Sequence, residues 1–289
     1  MMQITDRCLE CLLTRIEYEC RIISDDDAKI NGILGICRQN LLQSISDPAP
    51  SPEISSRIHR IACDIIGNED PYKEIKENTN REAENFLKKI EDRLLTFHDC
   101  ALASVIANTL DYGSKEHMVT DDFVGFFVDE FKKGLSVDDT VEIEKLCQRV
   151  VYLCDNCGEI VFDKKLIKLL KMRNSHVTVV VKSKPIINDA TTEDAILLGI
   201  DKIADNLYES THGISEVGFN INLAPQYVKD AIDSATLIIS KGMANYESLS
   251  EYKKTMKLPP VAYLMMVKCE PIADNIQIPK GSRIAYLIK

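Results

Sequence analysis

Val150-Val151-Tyr152-Leu153-Cys154-Asp155-Asn156-Cys157-Gly158-Glu159 is the stretch whose reading decides the fold. Its first four residues form a short apolar run of the kind a parallel sheet buries on both faces. Gly158 and Glu159 then open an amphipathic helical pattern that continues to about Lys171. A strand turning directly into a helix is the unit of a doubly wound sheet, whose ligands bind beyond the carboxyl ends of its strands. Helix N-termini there favour anions. Asp155 and Asn156 stand at that turn, where an acid and an amide can hold a metal ion or a phosphate.

Downstream the rhythm continues. Strand candidates fall at 150–153, 177–181, 202–204, 237–240 and 261–266, with helical stretches between the earlier ones. A last run, 282–288, alternates in character and reads as an edge strand lying antiparallel. Upstream the pattern is helical: 6–23, 28–45, 53–66, 72–97, 100–110, 123–133 and 136–148. The prolines of 47–52 break the second from the third, and Thr120-Asp121-Asp122 reads as an N-cap for 123–133. The expected architecture is α/β: a helical N-terminal domain over 1–148, then a mostly parallel, doubly wound sheet with flanking helices over 149–289.

With 289 residues, 45% hydrophobic and 28% charged, the chain can bury a sizeable core. A formal charge of −10 argues against nucleic acid or an anionic membrane as partner, because such surfaces draw on clustered Lys and Arg. No apolar run approaches the roughly 18 residues of a membrane span, and no signal-peptide layout opens the chain, so a cytoplasmic location is expected. Ten scattered cysteines then read as reduced thiols. Cys20, Cys37, Cys63, Cys147 and Cys269 lie in apolar-periodic surroundings that suit core packing.

The candidate site grows out from Asp155 and Asn156. The next strand leads to Asn188-Asp189-Ala190-Thr191, so Asp189 can face Asp155 across neighbouring strand ends. Two carboxylates and an amide oxygen suit Mg²⁺ or Mn²⁺. The competing explanation is that each of these pairs is only a helix cap. A later strand ends in Lys241-Gly242-Met243-Ala244-Asn245-Tyr246, where glycine permits close backbone approach and Asn245 offers a donor and an acceptor. Lys268 follows the next strand at the same edge, where a lysine is usually solvated but beside a carboxylate-bound metal can clamp a phosphate. His212 is the one histidine placed to reach the crevice.

Cys8-Leu-Glu-Cys11, Asp155-Asn156-Cys-Gly158-Glu159, Asn188-Asp189-Ala-Thr191 and Lys241-Gly242-Met-Ala-Asn245-Tyr246 together resemble the metal-dependent damage-control phosphatases, formerly a domain of unknown function. The N-terminal Cys-x-x-Cys resembles that of their subfamily I. The resemblance spans essentially the whole chain. It implies a helical part followed by a Rossmann-like part that hydrolyses phosphate monoesters such as sugar phosphates with a divalent cation, Mn²⁺, Mg²⁺ or Ni²⁺. It implies metal ligands at Asp155, Asn156 and Asp189 and catalytic roles for Asp155, Asp189 and Lys268. Gly158, Lys241, Gly242, Asn245, Tyr246 and Lys268 would bind a small phosphorylated metabolite. Where sugar-phosphate-hydrolysing relatives carry an Arg-Thr pair shortly before the lysine, this chain has Met265 and Met266.

Two other readings compete. Cys8 and Cys11, one helical turn apart, can serve a non-catalytic redox or metal-binding module, and with Cys154 and Cys157 they would make a tetrathiolate zinc site. A nucleotide-binding dehydrogenase would need a Gly-x-Gly-x-x-Gly turn after the strand at 150–153, and none is there.

Overall fold

The computed structural model describes residues 6–45, 47, 49–109 and 123–289. Amphipathic runs form helices and β-branched runs form strands, in the order α1 (Asp6–Ile23), α2 (Asp27–Gln43), α3 (Ser51–Ile66), α4 (Lys73–Ile90), α5 (Phe97–Ala107), α6 (Phe123–Lys133), β1 (Val137–Asp138), α7 (Thr140–Lys145), β2 (Arg149–Leu153), α8 (Glu159–Met172), β3 (His176–Val181), α9 (Thr192–Leu197), β4 (Asn206–Glu209), α10 (Gln226–Asp233), β5 (Leu237–Lys241), α11 (Gly242–Thr255), β6 (Val261–Met266), α12 (Glu270–Ile276) and β7 (Arg283–Ile288).

The seven strands form one sheet in the order β1-β7-β6-β5-β2-β3-β4. Every pair is parallel except β6 with β7. The α/β expectation with a mostly parallel sheet is what the structure has. From β2 the chain winds outward through β3 and β4, then returns to place β5 on the other side of β2. That reversal leaves a crevice between the carboxyl ends of β2 and β5, the place where open α/β sheets bind ligands. Leu153 pairs with Ser240, so Asp155 and Gly242, two residues further along each chain, come side by side.

Helices cover both faces. Val150, Tyr152, Ile239 and Leu264 pack on one side with α4, α5 and α8, through residues such as Phe86, Phe97, Ile106 and Phe162. Val151, Leu153, Ile238 and Tyr263 pack on the other side with α10, α11 and α12. Truncating a ring such as Phe162, 1% exposed, to Ala would cost about 3–5 kcal/mol. A separate core joins α1, α2 and α3 through Ile16, Ile30, Ile33 and Ile58. The packing seam therefore falls between α3 and α4, because the helices from Ala83 onward share the sheet's core.

Several local expectations change. The helix expected over 72–97 stops at Ile90, and Thr96 starts α5 with a reciprocal capping box to Asp99. The helix expected over 136–148 begins only at Thr140, since Val137 and Asp138 pair with Ile284 and Ala285 of β7. β7 is antiparallel to β6 as expected, but β1 covers its outer side, so it is not an edge. The strand expected at 202–204 is displaced to β4: Gly199 takes φ 72°, and Ile200–Lys202 makes a 3-10 turn. Asp205 fixes the new start by accepting a 2.7 Å hydrogen bond from the Val177 amide. The cap expected at 120–122 lies outside the described residues. No helix among the described residues is long and apolar enough to cross a membrane.

Candidate active site

Beyond Leu153 the chain keeps one more ladder bond, from the Cys154 amide to the Val180 carbonyl, and then presents Asp155 and Asn156. Gly158, at φ 80°, turns it into α8 without any side-chain cap. Asp155 and Asn156 are thus not spent on capping. Beyond the neighbouring β3 the cap of α9 is Thr191, paired with Asp194, which leaves Asp189 outside that motif too. The two strand ends are stitched together: Asn156 and Asp189 form an isolated antiparallel bridge, and the Ala190 amide donates to the Asp155 carbonyl at 2.8 Å. Asp155, Asn156 and Asp189 are all buried, and all three line one cavity.

Their orientation is set from below. Oδ2 of Asp155 accepts from Nδ2 of Asn156 at 2.7 Å and from Nδ2 of Asn108 at 3.2 Å. The same two amides also donate to Oε2 of Glu159, at 3.1 and 2.8 Å. With its nitrogen committed twice, Asn156 has its amide oxygen to offer a ligand. Gly242, at φ 72°, closes the other side: a Cβ built on it would stand 1.8 Å from Oδ2 of Asp155. Only glycine allows that approach. Asp189 is oriented by Nζ of Lys182, 3.4 Å from its Oδ2. Two carboxylates and an amide oxygen, held beside one another, are a hard-oxygen donor set that fits a divalent cation completed by water.

The cavity has a volume of about 340 Å³. Lys268, at its wall, is buried to 5% exposure. Asn188 lines it as well, and its Nδ2 is buried without a hydrogen-bond partner among the described residues, a donor suited to an anionic ligand. The facing wall is helical: Arg7, Cys8, Cys11 and Arg15 of α1 and Ser51 and Ser55 of α3. From α11 comes Glu247, whose carboxyl burial pushes up to about 7 against the pull of Arg15.

The remaining expected residues lie elsewhere. Lys241 does not face the cavity: it is fully buried beneath it, against Glu159 and with Nζ 3.1 Å from Asp163. Burial opposes its charge, but Asp163 and Glu159 outweigh that and raise its pKa. Asn245 braces the crevice by donating to the carbonyls of Cys154 and Lys241, at 3.1 and 2.8 Å. Tyr246 points into the opposite core, edge-on to Tyr263 and bonded to Asn275. The Gly158 amide is taken by Oδ1 of Asn80 at 2.6 Å. His212 is exposed and packs on Tyr227, away from the cavity. Cys269, at the N-cap of α12, is half-buried: it packs against the core on the α10–α12 face and also lines the cavity.

Cys154 and Cys157 are buried in the sheet core, and burial holds both thiols well above their ordinary range. Cys8 and Cys11 stand apart at the cavity. Among the described residues no group of three or more His, Cys, Asp and Glu is disposed to hold a metal, so the tetrathiolate does not form.

A family model described as the damage-control phosphatase ARMT1-like domain matches residues 4–284. The chain belongs to this family. Among ARMT1-like relatives, an Archaeoglobus fulgidus protein named a damage-control phosphatase is 37% identical, with 100% of both chains covered. A Pyrococcus horikoshii protein of the same name is 26% identical over 98% of this chain and 97% of its own. The crystal structure of a DUF89 family protein from that organism has a TM-score of 0.87 and 26% identity over 99% of each chain. The resemblance in the motifs thus extends to the whole ARMT1-like domain.

Within this domain, reasoning from motifs missed Asn108, Lys182, Asn188, Arg15 and Glu247. Asn188 and Glu247 sit inside or beside the quoted motifs and carried a signal. Asn108 and Arg15 lie on helices distant in sequence, and only the packing of α1 and α5 brings them in.

Proposed function

We propose that the protein is a divalent-cation-dependent phosphatase acting on phosphate monoesters of small metabolites, sugar phosphates among them, in metabolite damage control. The observation that carries this reading is the convergence of Asp155, Asn156 and Asp189 with Lys268 on one cavity at the sheet's switch point, in a chain of the ARMT1-like family. Asp155, Asn156 and Asp189 would hold the cation. When bound, Mn²⁺, Mg²⁺ or Ni²⁺ supplies Lewis-acid polarisation of the phosphoryl group.

The chain's own residues account for the rest. Lys268 places an ammonium against the phosphate oxygens, and Nδ2 of Asn188 donates to the same group, so charge developing in the transition state meets donors already in place. Burial of these groups strengthens both interactions. Water is the nucleophile in the simplest version, with Asp155 or Asp189 as the alternative through an aspartyl-phosphate. The helical wall of α1 and α3 receives the alcohol part of the ester. Met265 is fully buried in the sheet core, so the position where sugar-phosphate-hydrolysing relatives carry a polar pair gives the substrate no polar contact here.

A panel of phosphorylated metabolites assayed with Mn²⁺, Mg²⁺ and Ni²⁺ tests the reading. Hydrolysis that requires an added cation and is restricted to monoesters is the expected result. Hydrolysis unaffected by chelation, or none with any cation, would sink it.

A further inference from the structure

Lys241 is a fully buried cation that the site does not use. It ends β5, one residue before the glycine that abuts Asp155, yet its side chain runs away from the cavity into the layer between β5, α5 and α8. There it meets Glu159, Oδ1 of Asp163 at 3.1 Å and the carbonyl of Ser104 at 3.2 Å, all of them fully buried. The same Oδ1 of Asp163 also accepts from Tyr152 and Ser104, at 2.7 and 2.6 Å, while its Oδ2 is buried without a hydrogen-bond partner among the described residues. Glu159 is different, because its second oxygen reaches upward to the amides of Asn156 and Asn108. A continuous polar chain therefore runs from a buried ammonium, through one carboxylate, to the two amides that fix Asp155.

We propose that Lys241 and Glu159 are positioning residues: the lysine anchors Glu159 beneath the turn, and Glu159 orients Asn156 and Asn108 so that Asp155 and the Asn156 oxygen converge on one cation. The proposal rests on the metal reading above. Outer-shell partners of this kind typically change metal affinity about 10–100-fold when removed. Asn108 is part of the same device. It spends Nδ2 on Asp155 and Glu159 while its Oδ1 accepts from the Met266 amide at 3.3 Å, tying the turn after β2 to the end of β6, two residues before Lys268. The ligand pair and the phosphate-side lysine are thereby held in one frame.

The test is a double-mutant cycle read as affinity for Mn²⁺ alone, by electron paramagnetic resonance and titration calorimetry on the full chain, with circular dichroism reporting the fold. Glu159→Gln keeps shape but removes the charged acceptor, and Mn²⁺ binding should weaken at least about tenfold. Lys241→Met should weaken it comparably. In the Glu159→Gln background, Lys241→Met should cost less than about twofold more, because the lysine acts through Glu159. Wild-type affinity in Glu159→Gln would overturn the proposal. So would an equal further loss from Lys241→Met in both backgrounds, the signature of general destabilisation. Should Lys241→Met alone fail to fold, with two buried carboxylates left without their cation, Glu159→Gln against the double variant decides the matter. A wild type that binds no Mn²⁺ would instead sink the metal reading, before any variant is compared.

Discussion

The two walls of the cavity are built differently. The wall at the sheet edge is made of chain that has just left β2, β3 and β6, and its side chains are locked by bonds to buried neighbours: Asp155 by Asn156 and Asn108, Asp189 by Lys182, the turn itself by Asn245. The opposite wall is made by α1 and α3, which carry their own core and present Arg7, Cys8 and Cys11 on one helical face. α3 is tied to the loop before α10 by Arg60, 2.6 Å from Glu216, and by Ser56, which accepts from the Val217 amide at 2.8 Å. Under the proposed function, the difference separates chemistry from selectivity. Catalysis needs atoms held within about half an ångström, which strand ends supply. A helical wall can change its side chains without disturbing them.

Substitutions sharpen that contrast, and the largest effect belongs to the sheet edge. Asp155→Ala removes a proposed cation ligand and frees Asn156, and aryl phosphate hydrolysis should fall by about a thousandfold or more in a cation-saturated assay. Gly242→Ala drives a methyl into Asp155 at a left-handed backbone position, and should cost about 1–3 kcal/mol of stability by denaturant titration together with cation affinity. Lys268→Met should lower kcat/KM about 10–100-fold while cation binding persists, because the proposed role of the ammonium is toward the phosphate.

Where α11 meets the helical wall, with Glu247 facing Arg15 of α1, the effects are smaller. Burial raises the Glu247 carboxyl to about 7, above its unfolded value near 4.5, so the native state holds a proton that the unfolded chain has released between those values. The destabilisation is absent below about 4.5 and complete above about 7. Glu247→Gln should therefore raise Tm by roughly 2–6 °C at pH 8 and leave it unchanged near pH 4.5. Retention of the wild-type pH dependence in that variant would break the assignment.

Much of this was legible in the sequence because strand-to-helix turns have strong local signatures. Val150 to Leu153 and Val261–Met266 are unmistakable apolar runs, and Asp155, Asn156 and Lys268 stand just beyond where they stop, whereas Asp189 lies further past β3 and is marked by the Asn188-Asp189 pair. β1 was invisible, since two residues carry no periodicity. Lys241 shows the other limit. A lysine after a strand looks like a ligand clamp, and only the packing around β5 brings in the buried carboxylates of α8 and the Ser104 carbonyl of α5 that draw it inward. Cys154 and Cys157 carry the spacing of a metal site, but the turn between β2 and α8 buries both in the core, where the incidental-spacing reading puts them.

The most direct measurement is the bound-metal content of wild type, Cys8→Ser and Asp189→Ala after loading with Mn²⁺ and desalting, taken beside cation-dependent phosphatase activity. Wild type and Cys8→Ser should hold metal and hydrolyse aryl phosphate, while Asp189→Ala does neither. Metal lost from Cys8→Ser and kept by Asp189→Ala would contradict the account, placing the cation on the helical wall.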